Sequence, residues 1–214
     1  MDPDISEFSY GYVLTTELIT RYSLYSPIAP LFPSLYAEGE SGFDVEIRSI
    51  TSLFLQFKLS HYMVRTSAEG ASLLGTHHYR FYIRPLKHSQ QHELLRALES
   101  NGQEVYYAAP EFHTRDQLNN AYATQNVVQC SAFFSPNDIG QLPSANQHFV
   151  SFRQGTNIAF RFSEPKRIHK RPLLHVIEEQ MPAKMRSARR PSPSDFTDLG
   201  DKIVELHRER GGAS

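Results

Sequence analysis

The sequence predicts an α/β domain built on a mixed central β-sheet flanked by helices. Three observations carry this. Residues 42–60 hold two short runs that alternate in polarity with period two, the pattern of half-buried strands joined in a hairpin. Residues 89–100 place Leu94, Leu95 and Leu98 at helical spacing, with Ser89 able to cap the start and Asn101-Gly102 to stop it. Residues 104–109 then read as a buried strand ending at Pro110.

The chain has 214 residues, the size of one domain with room for a tail. The expected division is a body over residues 1–163 and a basic, proline-containing extension over 164–214. The net charge of −1 gives no global signal for nucleic acid, but residues 166–190 carry eight Lys or Arg against Glu178 and Glu179. The single cysteine, Cys130, rules out a disulfide framework or a multi-cysteine zinc site and suits a reducing cytoplasm. The start of the chain is acidic and polar, unlike a signal peptide. No apolar run approaches the ~20 residues of a membrane helix, so the expectation is a soluble protein without membrane association.

In chain order, residues 5–25 suggest a helix with Leu14, Leu18 and Ile19 inward. Pro27, Pro30 and Pro33 interrupt it, because each fixes its backbone and lacks a donor. Residues 38–42 read as a turn into the first hairpin strand. After the hairpin comes a polar stretch to His77, then a strand over 79–84 stopped by Pro85. His88 and His92 stand one helical turn apart, but no third ligand lies at zinc spacing. Residues 114–124 suggest a helix capped by Thr114, with Leu118 and Tyr122 inward. Strands are expected over 127–134 and on both sides of the Gly155-Thr156-Asn157 turn. Beyond Pro165 the composition turns basic and proline-rich, and residues 194–210 read as a partner-docking helix.

Within the hairpin, Phe43, Val45 and Ile47 share one face and Asp44, Glu46 and Arg48 the other. A pivot near Thr51 places Val45 opposite Phe57 and Ile47 opposite Leu55, with Asp44 facing Lys58 and Glu46 facing Gln56. An ordinary amphipathic hairpin with a cross-strand Asp–Lys pair also fits this pattern, and would contribute at most about 1 kcal/mol.

The motif Gly42-Phe43-Asp44, followed by Gln56-Phe57-Lys58, resembles the PD-(D/E)xK superfamily of restriction-endonuclease-like nucleases, in its Q-x-K variant. Phe43 stands where the parent pattern has proline, and Gln56 where it has an acid. The resemblance implies an αβββαβ core with extra strands and a Mg²⁺-dependent (or Mn²⁺-dependent) hydrolysis of phosphodiester bonds. It implies metal ligands at Asp44, the Gln56 oxygen and the Phe57 carbonyl, with Lys58 orienting the attacking water. A helix carboxylate, Glu17 with Glu7 behind it, would join them, and Gln90 or Gln91 would support the site. Arg80, Arg84 and Lys87 near the hairpin, and Lys166, Arg167, Lys170 and Arg171 further on, are the candidates for phosphate contacts. The implied substrate is nucleic acid, with DNA favoured over RNA and a place in restriction or anti-phage defence, and the extension would tether a protein partner. The rival expectation is a non-catalytic scaffold or binding subunit on the same fold.

Overall fold

A computed structural model of the chain describes residues 1–21, 28–48, 52–143, 147–162, 164–173, 176 and 177. Its elements are α1 (Glu7–Arg21), α2 (Leu35–Ser41), β1 (Val45–Ile47), β2 (Leu53–Phe57), β3 (His61–Met63), α3 (Ala71–Leu74), β4 (His78–Ile83), α4 (Gln91–Ser100), β5 (Glu104–Pro110), α5 (Arg115–Ala123), β6 (Ser131–Phe134), α6 (Pro136–Ile139), β7 (His148–Phe152), β8 (Ile158–Phe162) and β9 (Lys166–His169). The fold is mixed α/β, with two sheets where one was expected. The first runs β1-β2-β5-β6, with β2 and β5 parallel and the outer pairs antiparallel. The second, β3-β4-β7-β8-β9, is antiparallel throughout.

Period-two alternation explains the layering. On one face of the first sheet, Val45, Ile47, Leu53, Leu55, Tyr106 and Ala108 pack against Tyr10, Leu14 and Leu18 of α1 and Leu118 and Ala121 of α5. On the other face, Phe54, Val105, Tyr107 and Phe134 meet Phe81, Val150 and Phe152 of the second sheet. Edge-on aromatic contacts join the layers there, with Phe134 and Phe152 at 5.3 Å between ring centres. Truncating one of these buried rings costs about 3–5 kcal/mol. Among the described residues no helix is long and apolar enough to cross a membrane.

The hairpin keeps the expected facing but not the expected pairing. Val45 lies opposite Leu55, Glu46 opposite Phe54 and Ile47 opposite Leu53, two residues from the predicted register. A shift of two leaves every side chain on its own face, so the apolar pattern cannot distinguish the two pairings. The turn residues 49–51 lie outside the described residues. Phe43 precedes the strand and crosses to the other face, against Phe54. Residues 38–42 are the end of α2 and not a simple turn: Ser34 caps the helix and Gly42 ends it with φ 83°.

Three further expectations change. Tyr122 is exposed, and Ala121 takes the inward position on α5. Residues 127–130 form turns, with β6 beginning at Ser131. The body also runs past the expected boundary at 163, because β9 pairs with β8 and buries Ile168, and Leu173, Val176 and Ile177 are buried too. The expected docking helix at 194–210 lies outside the described residues.

Candidate active site

Gly42 brings the start of β1 against α4, where a Cβ would sit 3.0 Å from the Gln91 carbonyl oxygen. Asp44 therefore enters beside the first turn of α4 and level with the end of β2. Its Oδ2 accepts from the Phe57 backbone N–H at 2.5 Å and from Gln56 Nε2 at 2.7 Å. Gln56 Oε1 in turn accepts from Gln91 Nε2 at 2.9 Å, and Gln91 Oε1 accepts from the Lys58 ammonium at 3.1 Å. Lys58 follows β2, with its backbone N–H bonded to Ala108 and its ammonium 5.9 Å from the centre of the Tyr107 ring. Asp44, Gln56, Gln91 and Lys58 thus form one unbroken hydrogen-bond chain.

The direction of this chain is fixed at its Lys58 end. An ammonium can only donate, and each amide has one accepting and one donating end. Gln91 must therefore give its oxygen to Lys58, and Gln56 must give its nitrogen to Asp44. Burial pushes the Asp44 carboxyl up to about 7, against the Phe57 N–H and Lys58, which pull it down. Burial lowers the Lys58 ammonium, while Glu7, Asp44 and Glu38 oppose that shift.

The chain opens on a cleft of about 400 Å³ lined by Glu7, Glu38, Gln56, Lys58, Arg84 and Gln91, with His61, Tyr82 and Ser89 at its sides. Asp44 does not line the cleft, whereas its hydrogen-bond partner Gln56 does. Among the described residues no three His, Cys, Asp or Glu side chains gather closely enough to hold a metal ion. The donor chemistry nonetheless suits a hard divalent cation, since Asp44 and the Phe57 carbonyl offer oxygens. Gln56 would complete that set only by turning its oxygen, and not its nitrogen, toward Asp44.

Several expected site residues lie elsewhere. Glu17 is buried on α1 with its Oε2 accepting from the Val127 N–H at 2.7 Å. It is ten residues from Glu7, about 15 Å along the helix, and Glu7 is the α1 carboxylate that reaches the cleft. Glu46 does not meet Gln56; Arg48 and Ser52 hold it at the far end of the hairpin. Arg80 is buried, with its guanidinium bonded to the Glu69 carbonyl and 3.9 Å from the centre of the Phe149 ring. That removes it from phosphate contact. Arg84 is exposed and lines the cleft, whereas Lys87 is exposed but does not.

The later basic residues sit on or beside β9, three strands from β4 and about 14 Å away across the sheet. Lys166 donates to the Asp138 carbonyl, Lys170 pairs with Glu111, and Arg171 pairs with Asp138, while Arg167 lies exposed on the edge strand. His92 has a structural partnership. It stacks on Tyr107, with Nε2 2.8 Å from the Gly140 carbonyl and Nδ1 3.0 Å from the Tyr107 hydroxyl. Burial pushes His92 down to about 4.

Sequence reasoning missed Glu38 and the part played by Tyr107. The Ser34 cap three residues before Ala37 was the signal for the helix that carries Glu38. No family model, curated protein or solved structure matches the chain.

Proposed function

We propose that this chain is a divalent-metal-dependent nuclease of the PD-(D/E)xK type, hydrolysing phosphodiester bonds in nucleic acid, with DNA favoured. The observation that carries the reading is the meeting of Asp44, Gln56 and Lys58 in one hydrogen-bond chain at a cleft that also holds Arg84. The order of elements supports it. A helix, the Leu31 bridge to Glu46, β1, β2, then α4 and a strand parallel to β2 occur in the order of the αβββαβ core, with α2 inserted before β1, and β3, α3 and β4 inserted before α4.

In this reading Asp44, the Phe57 carbonyl and the oxygen of a reoriented Gln56 hold Mg²⁺ or Mn²⁺. The bound cation would lower the pKa of its water and polarise the phosphate. Lys58 orients the attacking water and offsets negative charge building on the phosphorus oxygens. Arg84 takes a neighbouring phosphate, since a guanidinium matches its oxygens in a fork. Water adds to phosphorus as the P–O bond to the leaving group breaks; the attacking water gives up a proton to solvent, and the leaving oxygen takes one from solvent.

The second reading is a non-catalytic scaffold on this fold. The closed Lys58–Gln91–Gln56–Asp44 chain favours it, because each of these side chains already has a partner within the chain. Mg²⁺-dependent cleavage of single- and double-stranded DNA and of RNA, assayed for the parent chain, Asp44→Ala and Lys58→Ala, separates the two. Cleavage abolished in both variants is the expected result. Equal activity in all three would remove the nuclease reading, and nucleic-acid binding without cleavage by the parent would favour the scaffold.

A further inference from the structure

We propose that Gln91 is a positioning residue that latches the Gln56 amide across Asp44, so that metal binding and the release of Lys58 are one coupled event. The inference rests on the metal-dependent reading above and adds a mechanism to it.

A glutamine side chain has one accepting end and one donating end, and turning it over exchanges the two. Lys58 presents only donors, so it holds Gln91 oxygen-first. That leaves Gln91 Nε2 to hold Gln56 by its oxygen, and Gln56 Nε2 then faces Asp44. A cation held by Asp44 would meet the nitrogen of Gln56, which carries no lone pair for it. Gln56 lines the cleft and Asp44 does not.

Turning Gln56 alone would set its nitrogen against Gln91 Nε2, two donors facing each other. Gln91 must therefore turn as well, which sets its nitrogen toward the Lys58 ammonium and breaks that bond. The two amides invert together or not at all, and the second inversion frees Lys58. Gln91 is the partner of the Gln56 oxygen, while the Gln56 nitrogen donates to Asp44 at 2.7 Å and, at a longer 3.3 Å, to the Phe57 carbonyl.

The coupling fits the role each residue has in the reaction. Lys58 lines the cleft with its ammonium bonded to Gln91 while Asp44 has no cation, and becomes free to turn to a phosphate once it does. An ammonium and a metal site that change together would limit binding of nucleic acid in an unproductive state.

The test measures Mn²⁺ binding by calorimetry and Lys58 labelling by acetic anhydride, read by mass spectrometry, on the full chain. Gln91→Met removes both of the latch's hydrogen bonds without adding charge. Gln91→Glu is the second variant, in case the first does not fold: a carboxylate accepts from Lys58 and from Gln56 Nε2 together, which turns the Gln56 oxygen toward Asp44. Gln91→Met is expected to bind Mn²⁺ about fivefold more tightly than the parent, for the loss of one opposing hydrogen bond, and Gln91→Glu more tightly still, since its carboxylate adds charge as well as turning Gln56. In the parent, saturating Mn²⁺ should raise the rate of Lys58 labelling; in Gln91→Met the rate should be high with or without it.

Asp44-dependent Mn²⁺ binding that is the same in the parent and both variants would overturn the coupling and leave the nuclease reading standing. Unchanged Lys58 labelling on adding Mn²⁺ to the parent would do the same. If Asp44→Asn binds Mn²⁺ as the parent does, the metal reading fails and the latch goes with it.

Discussion

Replacing Asp44 by Asn should make the cation-free protein more stable at neutral and alkaline pH. Burial lifts the Asp44 carboxyl from 3.8 to about 7, so across that window the folded chain keeps a proton that the unfolded chain has released. A raised carboxyl contributes stability that is full below 3.8 and lost as the pH rises through about 7. The shift of roughly three pH units would amount to ~4 kcal/mol for a fully buried group, at about 1.4 kcal/mol per unit. Asp44 is half-buried, and solvent screening reduces this to roughly 1–2 kcal/mol. Both donors to Asp44 reach the same oxygen, Oδ2, a place that the oxygen of an amide fills equally well. Urea unfolding in EDTA between about pH 5 and about pH 8 tests this. Asp44→Asn should exceed the parent by ~1–2 kcal/mol at the upper end, with the gap closing toward the lower end, and melt roughly 2–6 °C higher at the upper end. A variant less stable than the parent at the upper end, or a gap that ignores pH, would refute the argument that burial strains this carboxylate.

Glu17→Ala should leave metal-dependent cleavage intact while costing about 1–3 kcal/mol of stability, because the buried Val127 N–H loses its acceptor; a loss of cleavage without a loss of stability would return Glu17 to the site. His92 should lower stability as pH drops from 6.5 toward 4, since it is held neutral in the fold and the unfolded chain takes up the proton; because Asp44 acts the opposite way over the same range, this loss of up to ~3 kcal/mol is read as the difference between the parent and His92→Asn in the same urea titration. Gly11→Ala drives a methyl into the Phe57 ring. That overpacking should cost about 1–3 kcal/mol and also weaken cleavage, since Phe57 supplies the amide that holds Asp44.

Much of this arrangement can be read in the chain, and its limits have physical causes. The period-two runs at 43–48 and 53–58 identify the strands and their faces, and α4 and β5 follow from leucine spacing and Pro110. Register is not legible, because a slip of two preserves every facing and the turn chemistry at 49–52 does not discriminate. The choice between Glu7 and Glu17 is equally hidden: both lie on α1, and which one reaches the cleft depends on the crossing of the helix over β2 at Gly11. Arg80 alternates like a solvated edge residue, but the segment carrying Glu69 folds back over it, a long-range contact with no local signature. Gln91 is one of two adjacent glutamines at the start of α4, and only the helix phase turns it toward Gln56.

The fifth strand of the second sheet comes from residues that read as the beginning of a tail. A fragment cut at residue 163 would lose Ile168 from the core and leave β8, with Ile158, Phe160 and Phe162, as a bare hydrogen-bonding rim. Such a rim invites strand-to-strand association between molecules. Expression of a minimal domain should therefore carry the chain past Ile177, and aggregation of shorter pieces would reflect a missing strand and say nothing about the cleft.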